Sequence, residues 1–229
     1  MCIHQDFVET AVQLKAASTG AARERIVKST GIKDLPTMCL VGSLDYTCSI
    51  PWECFHLLLK NIIHNLVDLW TGQLNIIPHI WDDIGNETAA AVAHIPAPFV
   101  HMLSNITSDC LLFTPESQCF WFIYLAPKLL ENQFSKGKYY KHICNLVKIM
   151  KTTLQCHITA EQVSKVEEGL TDWVEKYEKY YYLYCIEHLS TCMLTVHGLL
   201  HLCIRYCDPV WTMWTFYMGN FCTTLQNNL

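Results

Sequence analysis

Residues 52–70 read W-E-C-F-H-L-L-L-K-N-I-I-H-N-L-V-D-L-W, and they decide the fold. Phe55, Leu58, Leu59, Ile62, Leu66 and Leu69 return at intervals of three and four. That period belongs to a helix rather than to an alternating strand, and it predicts a broad buried face. Thr71-Gly72 predicts where the helix ends, since glycine takes up the left-handed conformation that closes a helix.

The flanking sequence extends the helical pattern. Upstream, residues 1–30 read as one or two modest helices with Val8, Val12 and Leu14 as apolar points. Ala21–Lys28 forms the second patch, and Thr30-Gly31 stops it. Residues 31–51 change character: Pro36, Gly42 and Pro51 punctuate them, and Thr37–Val41 is β-prone enough for one short strand. Downstream, Ile80–His94 predicts a helix with an alanine-rich end, Pro96 and Pro98 force a bend, and Phe99–Ile106 adds a turn or two. Thr114-Pro115-Glu116 predicts a cap, a first-turn proline and an acidic first turn. They open a helix so aromatic (C-F-W-F-I-Y-L-A-P-K-L-L) that burial on most sides is expected. Thr159 with Gln162 is a capping box, and a long helix should follow to about Ile186. Leu189–Ile204 reads as a buried helix, too short and polar for a membrane span. Asp208-Pro209 should start the last helix, with Trp211, Trp214 and Met218 as its apolar stripe.

Composition narrows the function classes. With 51% hydrophobic and 16% charged residues, the 229-residue chain is a compact globule, not a disordered one. A net charge of −5 lacks the basic excess of a free-standing nucleic-acid binder, so any DNA contact must be local. Thirteen cysteines, an odd number at scattered spacings without a secretory leader, read as reduced, mostly buried thiols of an intracellular protein. No C-x-x-C pair occurs, and the sequons at Asn86 and Asn105 mean little without a secretory route.

Two groups of residues carry candidate chemistry. Lys136, Lys138, Lys141, Lys148 and Lys151 make residues 136–156 the one basic segment, with Tyr139 and Tyr140 among the charges. Basic residues beside aromatics can grip a nucleic-acid backbone, although an ordinary amphipathic helix with a lysine face has the same pattern. His197 and His201 stand four apart, so a helix puts both rings on one face as a candidate metal pair. Cys203 and Cys207 repeat that spacing on a different face. Two histidines alone do not close a zinc site, and two hydrogen-bonded histidines satisfy the same spacing.

The run from His197 to Leu225, H-x-L-L-H-L…P-V-W-x-x-W-x-F-x-M-x-x-F-C-x-x-L, resembles the C-terminal signature of CACTA (En/Spm)-type DNA transposases of the form scattered through fungal genomes. A second region resembles the family pattern S-F-P-x-D-x-M-H-L-x-x-E-N-x-x-x-N-L…L-W-T-G. Ser49, Pro51, His56, Leu57, Asn61, Asn65, Leu66, Trp70, Thr71 and Gly72 match it. The resemblance implies a mainly α fold, the helical C-terminal portion of an RNase H-like core with at most one or two short strands. Residues 1–30 would be a helical arm and residues 31–229 a single mostly helical domain. It also implies a nuclear location.

In the family, acidic residues hold two divalent metals for strand cleavage and transfer, because hard Mg²⁺ demands oxygen ligands. Here those positions are degenerate. Glu53 stands for an aspartate, Lys60 for a glutamate and Gly219 for the acid of M-E-R-x-C-G, and the portion bringing the first aspartate is expected to be missing. The expectation is therefore a catalytically inactive relic with no cofactor, magnesium belonging to the parent family. What is left is DNA contact through the lysines or protein contact through exposed apolar surface. A host-co-opted helical interaction module is the alternative. A live metal-dependent nuclease would need acids from elsewhere, such as Asp82, Asp83 and Glu87, or a zinc at His197 and His201.

Overall fold

The computed structural model describes residues 4–34, 41, 43–45, 52–73, 80–96, 103–108 and 113–201. Among the described residues the chain is mainly α and contains no strand. Of the β-prone Thr37–Val41, only Val41 is described. The chain divides into two compact units, Met1–Pro51 and Trp52–Leu229.

In the first unit α1 (His4–Ala16) packs on α2 (Gly20–Thr30). The Thr19 hydroxyl accepts from the Ala22 amide at 3.2 Å and starts α2. Gly31 ends it at φ 75°, donating its amide to Val27 O at 2.8 Å, the stop that Thr30-Gly31 predicts. Ala11 and Leu14 are buried, but Val12 is 62% exposed. Two residues from Leu14 on a helix is nearly the opposite side, so Val12 cannot share its face.

The second unit is built around α3, the helix of residues 52–70. It runs as wide i→i+5 turns over Phe55–Ile63, as α-helix over His64–Asp68, and as wide turns again over Leu69–Gln73. Leu57, Ile63 and Trp70 are buried along with Leu58, Leu59, Ile62, Leu66 and Leu69. The wide turn advances each residue by a smaller angle, so more neighbours share the core side. Helical backbone continues through Thr71-Gly72 to Gln73, and the Thr71 hydroxyl donates back to Val67 O at 2.9 Å.

Next come α4 (Trp81–Ala91), prolonged by a 3-10 turn at Val92–His94, and α5, made of Pro115–Phe120, Trp121–Leu125 and Ala126–Leu129. Trp121 joins them: its indole N–H donates to the buried Thr88 hydroxyl at 3.0 Å, and its ring meets Trp81 edge-on. Thr114 caps α5 by accepting from the Ser117 amide. Burial on most sides holds for Trp121, Phe122, Ile123 and Ala126 but not for Tyr124, which is 60% exposed.

Helices α6 (Gly137–Thr153) and α7 (Ala160–Tyr177) form an antiparallel hairpin. His142 meets Trp173, Ile149 meets Gly169 and Gln155 meets Gln162. The capping box at Thr159 and Gln162 is present in both directions. Helical backbone continues from α7 as a wide turn to Tyr182, short of Ile186. Leu183 and Tyr184 have φ of 57° and 52°, and two left-handed residues in a row cannot continue a right-handed helix.

The continuous buried helix expected over Leu189–Ile204 is not formed. A 3-10 turn at Ile186–Thr191, a short α8 (Leu194–Gly198) and a 3-10 turn at Leu199–His201 take its place, with Leu189 and Leu194 exposed and Val196 and Leu199 buried. The Thr191 hydroxyl bonds locally to His188 O, a contact that competes with helix propagation. Cys203, Cys207, the cap at Asp208-Pro209 and the Trp211, Trp214, Met218 stripe lie outside the described residues.

Polar contacts clip the layers of the second unit together. Asn65 of α3 donates to the Tyr177 hydroxyl at 2.6 Å, which donates onward to Thr191 O at 3.0 Å. The Trp70 indole donates to the buried Tyr181 hydroxyl at 3.1 Å. The Asn65, Tyr177 and Trp70 donors thereby keep partners within the packed aromatic core.

Candidate nucleic-acid interface

Helix α6 sets the geometry of the basic segment. Tyr139, His142, Ile143, Leu146, Val147, Met150 and Thr153 turn inward. By helical periodicity Lys138, Lys141, Lys148 and Lys151 then fall on the outer side, while Lys136 precedes the first turn. Among the described residues none of these five lysines is ion-paired. Lys28, Lys128, Lys165 and Lys176, in contrast, each hold a carboxylate.

The five are not equivalent. Lys138 is half-buried, its ammonium 4.5 Å from the Tyr180 ring centre and 4.9 Å from that of Tyr139. Burial holds its pKa below the ordinary lysine value, and the charges of Lys136 and Lys179 add to the effect. Lys141 and Lys148 project freely at the surface. Lys151 lies over the Tyr124 ring, 5.3 Å from its centre. Tyr124 also packs on the half-buried Phe120, one helical turn earlier, with ring centres 5.1 Å apart. The sequence reading missed Tyr124 because it sits in an almost wholly apolar run. Spacing gave no signal, since Tyr124 and Lys128 stand three and seven residues after Trp121, which an α-helix places on the same side as that buried ring.

The acidic positions do not converge. Glu53 accepts from the His56 amide at 2.7 Å and from His56 Nδ1, so its carboxylate serves the start of its own helix. Lys60 is exposed on α3, and Asp82, Asp83 and Glu87 are exposed on α4. Gly219 lies outside the described residues. Among the described residues no three His, Cys, Asp or Glu side chains gather to hold a metal ion.

His197 and His201 do meet, as their spacing predicts. Their Nε2 atoms are 3.0 Å apart and their rings stand edge to face. One ring must donate and the other accept, and a second proton would set two cations side by side. Burial, and then His197, hold the His201 pKa below its ordinary value. The pair supplies two nitrogens, short of the four ligands of a closed zinc site.

Among the described residues no helix is long and apolar enough to cross a membrane. Comparison with models of known protein families, with curated proteins and with solved structures finds no match.

Proposed function

We propose that this chain is a non-catalytic, transposase-derived helical protein whose residual activity is binding a nucleic-acid backbone through the outer face of α6. The observation that carries this is the run of lysines without carboxylate partners, Lys141, Lys148 and Lys151, on an otherwise acidic molecule. Unpaired ammonium groups in a row neutralise successive phosphates without first giving up an internal ion pair. The CACTA-type origin, the RNase H-like ancestry and a nuclear location belong to the same proposal, and the two motif regions support them. The non-catalytic part is supported by Glu53, whose carboxylate is engaged within its own helix turn.

The test follows DNA binding and nicking together in Mg²⁺ or Mn²⁺. Binding should weaken as salt rises, with Lys141→Gln and Lys148→Gln each lowering the log–log salt slope by about 0.9 on duplex DNA. No nicked product should form. Metal-dependent nicking that disappears in Glu53→Ala would overturn the non-catalytic assignment.

A second reading, a co-opted helical interaction module, is favoured by the apolar side chains that follow α7. Tyr184, Ile186 and Leu194 are 67%, 72% and 70% exposed. Exposed apolar side chains so close in sequence mark a candidate contact surface. Self-association that rises with concentration and is lost in Ile186→Glu would shift the assignment to this module.

A further inference from the structure

We propose that the α6 face takes a single-stranded polynucleotide in preference to a duplex, one base stacking on Tyr124 while Lys151, Lys148 and Lys141 meet the phosphates. This rests on the nucleic-acid reading of α6 and names the substrate class.

Two observations carry it. The first is the placement of the ring. Tyr124 is 60% exposed although its neighbours Trp121, Phe122 and Ile123 are buried. Phe120 backs it at 5.1 Å and fixes its direction. An aromatic ring held at the surface beside a cation offers what an unpaired base needs: a π-face for the base and a charge for its phosphate. In a duplex the base faces are already stacked on one another, so the ring would have nothing to receive.

The second is the difference between the two ends of the lysine row. Lys138 and Lys151 both lie over tyrosines, thirteen positions or about 20 Å apart along the helix. At the Lys138 end the rings are committed: Tyr139 is buried, Tyr180 is half-buried, and the two pack edge to face. At the Lys151 end the ring is open. The Lys151–Tyr124 contact is exposed and therefore weak, so it exchanges readily. A phosphate takes the ammonium, and the base takes the ring face that the ammonium leaves. Lys148, one turn back, and Lys141, two turns further, continue the row.

The experiment measures fluorescence anisotropy of three labelled probes of equal length with the full chain: oligothymidine, a strand of abasic sites, and a duplex. Oligothymidine should bind about tenfold tighter than either of the others, within the range that stacking one base supplies. Tyr124→Ala should erase that margin and Tyr124→Phe should keep it, with circular dichroism confirming that both remain folded. Equal binding of the abasic strand and oligothymidine, or a margin that survives Tyr124→Ala, overturns the single-strand inference and leaves the backbone-binding function standing. Failure of all three probes to bind overturns both. Polyglutamate competing as well as oligothymidine overturns the inference in favour of an acidic polypeptide partner.

Discussion

His142 shows how one side chain serves both helices of the α6–α7 hairpin. Its ring stacks on Trp173 with centres 4.3 Å apart and planes 10° from parallel. Its Nε2 donates to Trp173 O at 3.0 Å, and the Trp173 indole N–H donates back to His142 O at 3.1 Å. Since a carbonyl only accepts, Nε2 carries the proton and the buried Nδ1 is left without a partner. Burial pushes the imidazole down to about 4 from its ordinary 6.5. Acidification therefore protonates the unfolded chain first. The stability that the neutral ring contributes is complete above pH 6.5 and lost as pH falls toward 4, up to about 3 kcal/mol. Urea unfolding at several pH values should show this loss, and His142→Phe should flatten it. Gly85 is a second single-residue constraint. A Cβ there would lie 2.0 Å from Thr107 Oγ1 and 2.2 Å from Asn105 Oδ1. Neither group can swing away cheaply, because Asn105 Oδ1 accepts from the Thr107 amide and Thr107 Oγ1 donates to Trp81 O. Gly85→Ala should cost about 1–3 kcal/mol, read from the urea midpoint. Nothing in the sequence marked either position, since both depend on what a distant residue places against them.

Among the elements, the caps were the most legible features. Thr114, Gly31 and the Thr159–Gln162 box act where the sequence puts them, because a cap is a contact over three or four residues. Termination is less legible: helical backbone runs past the Thr71-Gly72 stop, and an end without a cap has no local mark. Residues 178–186 carry no glycine or proline, so the helix is expected to run on, yet Leu183 and Tyr184 turn left-handed. Leucine adopts that conformation at a cost of roughly 1 kcal/mol that glycine avoids. Leu183 is largely exposed, so little packing is lost by replacing it. Leu183→Gly should therefore raise the midpoint of thermal unfolding by about 2–4 °C, and calorimetry would measure it. The wide turns of α3 and the exposure of Tyr124 are likewise element-scale outcomes. The heptad-like pattern fixed that a helix forms, but not how tightly it winds or which side of an apolar run faces out.

Across the whole molecule, the electrostatics oppose the proposed binding except at α6. The chain carries −5 overall, and α7, which packs on α6, carries Glu161, Glu167, Glu168, Asp172 and Glu175. Affinity should therefore follow the location of a charge rather than its sum. Lys148→Glu should weaken oligonucleotide binding about tenfold, while Lys165→Glu, the same change in net charge at a lysine paired with Glu161, should alter it less than twofold. Anisotropy titrations of the two variants side by side would check this. The sequence by itself determined the helical class, the caps, the basic segment and the four-residue spacing that brings His197 to His201. Each of these is written in periods and contacts along one stretch of chain. Only the tertiary structure decided that Tyr124 stands out beside Lys151, that Lys138 turns onto Tyr180, that Glu53 is held by His56, and that the helix after Thr159 stops at Tyr182. The reason is physical: exposure, pairing and termination depend on which distant surface arrives against a residue, and a local pattern does not encode that surface.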